Sequence, residues 1–196
     1  MKTYVVADLH FNDPQIIDFE RKQFVTIEEH NEYIIQKFNE VVTKDDLTYF
    51  LGDLGFGNWK DIRKLVRRLN GRKILLYGNH DIFTEEAAKE MGFEQIYHHP
   101  IYIASGVILS HEPVLEAYKN PYIINVHGHL HNSELNENNF FNVNIARRQY
   151  RPQRLDFFLS YAKNHCKDRR ECFGNEWYHD DYKFDPGVTK EKIYKR

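Results

Sequence analysis

The sequence predicts an α/β domain whose first half winds a largely parallel sheet and whose second half becomes mixed. Short apolar stretches alternate with amphipathic ones up to about residue 92, the pattern of βαβ units. After that point strand-like stretches follow one another with little helix between them. His, Asp and Asn also recur just past the C-terminal ends of these strands, where open α/β sheets bind ligands.

Lys2–Ala7 is short, β-branched and aromatic, and gives way at once to polar residues, as a buried strand does. Thr26 followed by Glu29 is a capping box. Ile27, Ile34, Ile35, Phe38, Val41 and Val42 then recur at helical spacing, until Lys44–Asp46 ends the pattern. Leu47 opens a second strand that runs to Gly52-Asp53. Trp59–Asn70 reads as a helix with Ile62, Leu65, Val66 and Leu69 on one face and Gly71 as its stop. Lys73–Tyr77 is a third strand, and Thr84–Met91 a short helix closed by Gly92. Short strands are expected around Gln95–Tyr97, Ile101–Ala104, Val107–Ser110, Tyr122–Val126 and Phe140–Asn144, with a last helix over Pro152–Lys163. The boundaries are one domain over residues 1–163 and a charged, aromatic extension over 164–196 that packs on or near it.

A length of 196 residues is enough for one well-buried core. The formal net charge of -2 gives no general attraction to nucleic acid or membrane. MKTYVVADLH lacks the apolar segment and cleavage site of a signal peptide, and no run approaches the ~18 apolar residues of a membrane span, so the expected compartment is the cytoplasm. Cys166 and Cys172 are too few for a disulfide scaffold, and with His165 and His179 they do not match zinc-finger spacing.

The strand ends hold the chemistry. Asp8 and His10 follow the first strand, Asp53 the second, and Asn79 with His80 the third. Later segments add His111, then His129 and His131 from NVHGHLHN. The i, i+2 spacing of Asp8/His10 and His129/His131 would aim both members of each pair to one side of an extended chain. Gly52, Gly78 and Gly128 directly precede these residues, where backbone must turn tightly or approach closely. Imidazole, carboxylate and amide without thiolate suit Mn²⁺, Fe or Zn²⁺ rather than Mg²⁺ alone or Ca²⁺.

DLH, GD, GNHD, His111 and GHLH, in that order, resemble the calcineurin-like metallophosphoesterase superfamily over about residues 3–145. NVNIARRQYRP resembles a segment of its small bacterial and phage-type members. The resemblance implies a four-layer αββα sandwich of two mixed β-sheets flanked by helices. It further implies two divalent cations, Mn²⁺ first among them with Fe or Zn²⁺ as options. Asp8, His10 and His131 would hold one, Asn79, His111 and His129 the other, and Asp53 would bridge them. In-line attack on phosphorus by a hydroxide shared between the cations would follow, with Asp53 and His80 as the catalytic residues and His80 beside the leaving-group oxygen.

Other residues have smaller expected roles. Asn79, His80, Arg147 and Tyr150 are candidates for touching the substrate, Arg147 through a bidentate fork as Arg148 could also offer. Asp81 could orient His80 or cap the following helix, and Phe11, Asn12 and Asp13 could shape the pocket. His127 is expected in the core or behind the ligands, and His98 and His99 in a solvent-facing turn. The Ser/Thr protein phosphatases of the superfamily carry an arginine soon after GD and another before GNH. Here GDLGFGN has no basic residue and Tyr77 precedes Gly78, which argues against a phosphoprotein substrate. The expected substrate is a phosphodiester or small phosphomonoester, with a nucleotide or cyclic nucleotide as candidates. A nuclease is the alternative, supported by the basic spacing of Lys60, Arg63, Lys64, Arg67 and Arg68. A non-catalytic scaffold is the alternative of another class.

Overall fold

The computed structural model describes residues 1–103, 106–133 and 135–165. In chain order the elements are β1 (Thr3–Val6), α1 (Pro14–Phe19), α2 (Ile27–Asn39), β2 (Leu47–Phe50), α3 (Trp59–Val66), β3 (Arg72–Leu76), α4 (Glu85–Met91) and β4 (Phe93–Tyr97). Then come β5 (Ile101–Ile103), β6 (Val107–Leu109), α5 (Leu115–Lys119), β7 (Ile124–His127), β8 (Phe140–Asn142), β9 (Gln153–Arg154) and α6 (Leu155–His165).

Two mixed sheets form, ordered β4-β3-β2-β1-β9 and β5-β6-β7-β8. In the first, β1 to β4 run parallel and β9 joins β1 antiparallel. In the second, β5 is antiparallel to β6, while β6, β7 and β8 are parallel. An isolated bridge between Ala7 and Asn144 ties the sheets together just past the end of β1.

Alternation along each strand decides which core it serves. Tyr4, Val6, Phe50 and Leu75 pack with Ile34, Phe38, Ile62, Val66 and Ala88 of the helices on the outer face of the first sheet. Val5, Ala7, Tyr49, Leu51, Ile74 and Leu76 pack with Val107, Leu109, Ile124 and Val126 of the second sheet. Strands buried on both faces explain the continuous apolar runs in the sequence. α6 adds Leu155, Phe158 and Ala162 to the core between the sheets. The sheet-on-sheet arrangement flanked by helices agrees with the expected sandwich.

Thr26 caps α2 by accepting from Glu29 N at 3.1 Å, and the Glu29 carboxylate reaches back to Val25 N at 2.9 Å. Gly92 closes α4 in the left-handed region, φ +100°. The α3 helix ends at Val66, short of the expected Asn70, because Arg68 and Leu69 bond three residues back and tighten the chain before Gly71. The last helix starts at Leu155 rather than Pro152, because Gln153 and Arg154 pair with Val5 and Tyr4 as an edge strand. The α1 and α5 helices were not expected; their six and five residues are too short to show an apolar period. Ala104, Cys166, Cys172, His179 and nearly all of the C-terminal extension lie outside the described residues. Among the described residues, no helix is long and apolar enough to cross a membrane.

Candidate metal centre

All of the expected ligands sit beyond strand ends, and most of them in a backbone conformation the sequence did not suggest. Asp8, His10, Asp53, His129 and His131 have φ of 58°, 51°, 55°, 65° and 48°. Since β1 stops at Val6 and β7 at His127, the i, i+2 pairs do not converge through strand pleat. They converge because left-handed residues curl each loop back upon itself. Each such non-glycine residue costs about 1–2 kcal/mol, and such strain persists only where surrounding bonds hold it.

Close backbone approach makes those bonds possible. A Cβ on Gly78 would lie 2.2 Å from Asp53 Oδ1, and one on Gly128 would lie 2.8 Å from Asp8 Oδ2. Through these gaps His129 N donates to Asp8 Oδ1 at 3.0 Å and His80 N donates to Asp53 Oδ1 at 3.0 Å.

Asp81 is the buckle of this arrangement. Its buried carboxylate accepts from Gly78 N at 2.9 Å, Asp53 N at 2.8 Å and Leu54 N at 2.9 Å. It therefore locks the β2 and β3 ends together, and neither of its expected roles holds: Thr84 caps α4, its hydroxyl accepting from Ala87 N at 3.3 Å, and the Asp81 oxygens are spent on backbone. Burial pushes Asp81 up to about 7 against the pull of those amides. Asp81→Asn would turn an amide NH₂ toward backbone donors. It is expected to cost about 1–3 kcal/mol of stability, read as a lowered Tm of the apoprotein.

Three histidines have one ring nitrogen fixed from behind. His111 Nδ1 donates to the Leu51 carbonyl at 2.8 Å, His10 Nδ1 to Asp13 at 3.0 Å, and His131 Nδ1 to Glu20. Such bonds set the tautomer that leaves Nε2 as a bare lone pair, the usual support of a metal-binding imidazole. Burial pushes His10 and His111 down, toward the neutral form a ligand needs. The bond to Glu20 raises His131.

The freed atoms face one another. His111 Nε2 lies 2.8 Å from Asn79 Oδ1, 3.3 Å from His129 Nδ1 and 3.4 Å from Asp53 Oδ2, and Asn79 Oδ1 lies 3.0 Å from His129 Nδ1. Bonds of about 2.0–2.2 Å to a shared cation would leave neighbouring ligand atoms about 3.0–3.5 Å apart; the His129 and Asp53 spacings fall in that range, while His111 and Asn79 stand at hydrogen-bond distance. On the other side, His10 Nε2 is 3.7 Å from Asp53 Oδ2. Both atoms are buried and find no hydrogen-bond partner among the described residues.

Ligand atoms within 4.8 Å of one another group as His10, Asp53 and His131, and as Asp8, Asp53 and His111. Asp53 is common to both, as a bridging carboxylate must be. By this measure Asp8 falls with His111, not with His10 and His131. Burial, and then the neighbouring Asp53 charge, push Asp8 up to about 7. Positive charge between these carboxylates would relieve that cost, so the donor set fits divalent cations.

The remaining expectations separate cleanly. Exposed His80 stands with its ring centroid 5.7 Å from that of His10. Arg147 donates to the Asn132 carbonyl at 2.5 Å, next to the His129–His131 loop. Tyr150 does not join the cluster: it is 6% exposed, packs edge-on against Phe24 and Tyr33, and its hydroxyl accepts from Gln23 at 2.6 Å. His127 is a core residue, its Nδ1 donating to the Gly128 carbonyl at 2.9 Å, and burial pushes it down to about 4. His98 is exposed, stacks on Tyr77 and pairs with Glu85 at 2.8 Å. Acids answer three of the five basic residues along α3 and its C-terminal turn, Arg63 by Glu90, Lys64 by Asp61 and Arg68 by Glu32, while Arg67 donates to the Glu90 carbonyl and Lys60 lies over the Trp59 ring. Sequence reasoning missed Glu20, Arg21 and His30, which lie directly behind the ligand loops.

The family model for calcineurin-like phosphoesterases matches residues 1–194. An uncharacterized protein of Methanocaldococcus jannaschii, MJ1445, is 33% identical over 172 residues, covering 81% of this chain and 89% of its own. The gene 66 protein of Mycobacterium phage L5 is 28% identical over 160 residues, covering 66% of this chain and 77% of its own. A solved structure, the protein of unknown function AQ665 from Aquifex aeolicus, superposes with a TM-score of 0.61 at 25% identity, covering 82% of this chain and 98% of that one. With candidate ligands at its strand ends, two mixed sheets and a match along nearly its whole length, the chain belongs to the calcineurin-like phosphoesterases, a family of phosphoester hydrolases.

Proposed function

We propose that the protein hydrolyses a phosphodiester or a small-molecule phosphomonoester, a nucleotide or cyclic nucleotide being the favoured class. His10 and His131 would hold one divalent cation and Asn79, His111 and His129 the other, with Asp53 shared; Asp8, expected with His10 and His131, has its carboxylate nearer His111 and would join the first cation only by turning toward His10. The observation that carries this reading is Asp53, which gives one oxygen to His80 N and presents the other, unpartnered, to both His10 and His111. When bound, two dications supply charge for the phosphoryl oxygens and acidify a water toward neutral pH.

The chain's own groups do the rest. His80 is tethered through its backbone to Asp53 while its ring is free to reach out, so it can hand a proton to the departing oxygen. Asn79 anchors the same loop, and Arg147, beside the histidine loop, can grip a phosphate oxygen. With three of the five basic side chains along α3 and its C-terminal turn answered by acids, the stripe offers a nucleic-acid backbone less charge than its spacing suggests, which favours a small ester over a nuclease substrate.

Turnover of bis(p-nitrophenyl) phosphate and of the mono-ester, with and without Mn²⁺, tests the reading. Chelation and dialysis are expected to lower turnover at least about 10²-fold, with recovery on adding Mn²⁺ back. Unchanged turnover after chelation, or none on either ester with Mn²⁺, would refute it. Cleavage of single-stranded or duplex nucleic acid at low salt would shift the assignment to a nuclease.

A further inference from the structure

We infer that the dipeptide Glu20-Arg21, at the C-terminal end of α1, is a positioning clamp that assembles one of the two cation sites, the one built on His10 and His131. The inference rests on the two-cation reading above and adds residues that no ligand motif contains.

The two side chains diverge to opposite ends of the chain. Glu20 accepts from His131 Nδ1 across 111 positions of sequence. Its side chain is 3% exposed, and its other oxygen is buried with no hydrogen-bond partner among the described residues. Arg21 is 0% exposed and donates to the Asp8 carbonyl at 2.6 Å and the Leu9 carbonyl at 2.9 Å. The same guanidinium donates to His30 Nε2 at 2.7 Å. Asp8 and His10 are left-handed, and this part of the loop lies outside any strand, so its carbonyls depend on a donor from elsewhere. Arg21 is that donor.

Position and environment make the clamp rigid. Glu20 N and Arg21 N both donate to the Ile16 carbonyl, at 3.0 and 2.8 Å, which anchors the dipeptide to α1. Tyr150 lies 5.9 Å from the Arg21 guanidinium, and Phe24 and Tyr33 pack on Tyr150. An aromatic collar of this kind excludes water that would otherwise compete for the Arg21 donors. Asn79, His111 and His129 make no contact with Glu20 or Arg21 among those described; His111 is held instead by the Leu51 carbonyl. The Glu20 arm of the clamp therefore acts on one side of Asp53 only, the side of His131.

Calorimetric titration of the apoprotein with Mn²⁺ tests this, together with its thermal unfolding. Wild type is expected to take up two equivalents. Glu20→Ala is expected to weaken one equivalent about 10–100-fold, the usual cost of losing the partner of a ligating histidine, and to leave the other within about twofold. Glu20→Gln keeps an acceptor without the charge, should fall between the two, and serves if the alanine variant does not fold. Two unchanged equivalents in a folded Glu20 variant, or equal weakening of both, would overturn the clamp while leaving the two-cation reading intact. Wild type that binds no Mn²⁺ would overturn that reading itself, and the clamp with it.

Discussion

Asp53→Asn is expected to abolish turnover, lowering kcat/KM at least about 10³-fold, or about 4 kcal/mol of transition-state stabilisation, while the apoprotein keeps or gains stability. The direction follows from which oxygen does what. Oδ1 accepts from His80 N at 3.0 Å, a bond that an asparagine oxygen can also make. The new NH₂ then replaces Oδ2 and points at His10 and His111, whose Nε2 atoms lie 3.7 and 3.4 Å from that oxygen. An amide donor satisfies lone pairs that otherwise confront a carboxylate in a dry site, so folding does not suffer. A cation, by contrast, would meet an N–H where it needs an anion. Kinetics on bis(p-nitrophenyl) phosphate and the apoprotein Tm read the two halves separately. Turnover within tenfold of wild type would remove Asp53 from the shared position.

His80→Ala is expected to act on chemistry alone, and selectively. The ring is exposed and its backbone, which makes the bond to Asp53, survives the substitution. Mn²⁺ binding and Tm should therefore stay close to wild type. General acid catalysis contributes about 10²–10⁴-fold where the leaving group needs a proton. An ester with an alkoxide leaving group should lose that much, whereas a p-nitrophenyl ester, whose phenolate departs unaided, should lose far less. Equal losses on both esters would mean that His80 binds the phosphoryl group instead of protonating the departing oxygen.

Much of the centre could be read along the chain. Asp8, Asp53 and Asn79 follow apolar runs that end abruptly, and parallel strands must deliver those ends to one edge of the sheet. The glycines at 78 and 128 were legible for the same reason, since each precedes a candidate ligand that backbone has to approach. Glu20, Arg21 and His30 were not legible. A Glu-Arg pair followed by Lys22 and Gln23 has the pattern of a solvated turn, and nothing within a few residues of Glu20 hints at a partner 111 positions away. Tyr150 erred the other way: its place after Arg147 and Arg148 suggested the pocket, but a left-handed φ of 60° turns it into the aromatic cluster.

Residue type and order along the chain determine the donor chemistry and the sheet edge at which it gathers, because strand and helix periods are local properties of the polypeptide. Which lone pairs meet, which tautomer each imidazole takes and what holds the left-handed loops in place are decided only by packing. Those outcomes depend on bonds such as Arg21 to the Asp8 carbonyl, made when the segment after β1 folds back, and Glu20 to His131, whose partners become neighbours only once both sheets have closed on one another.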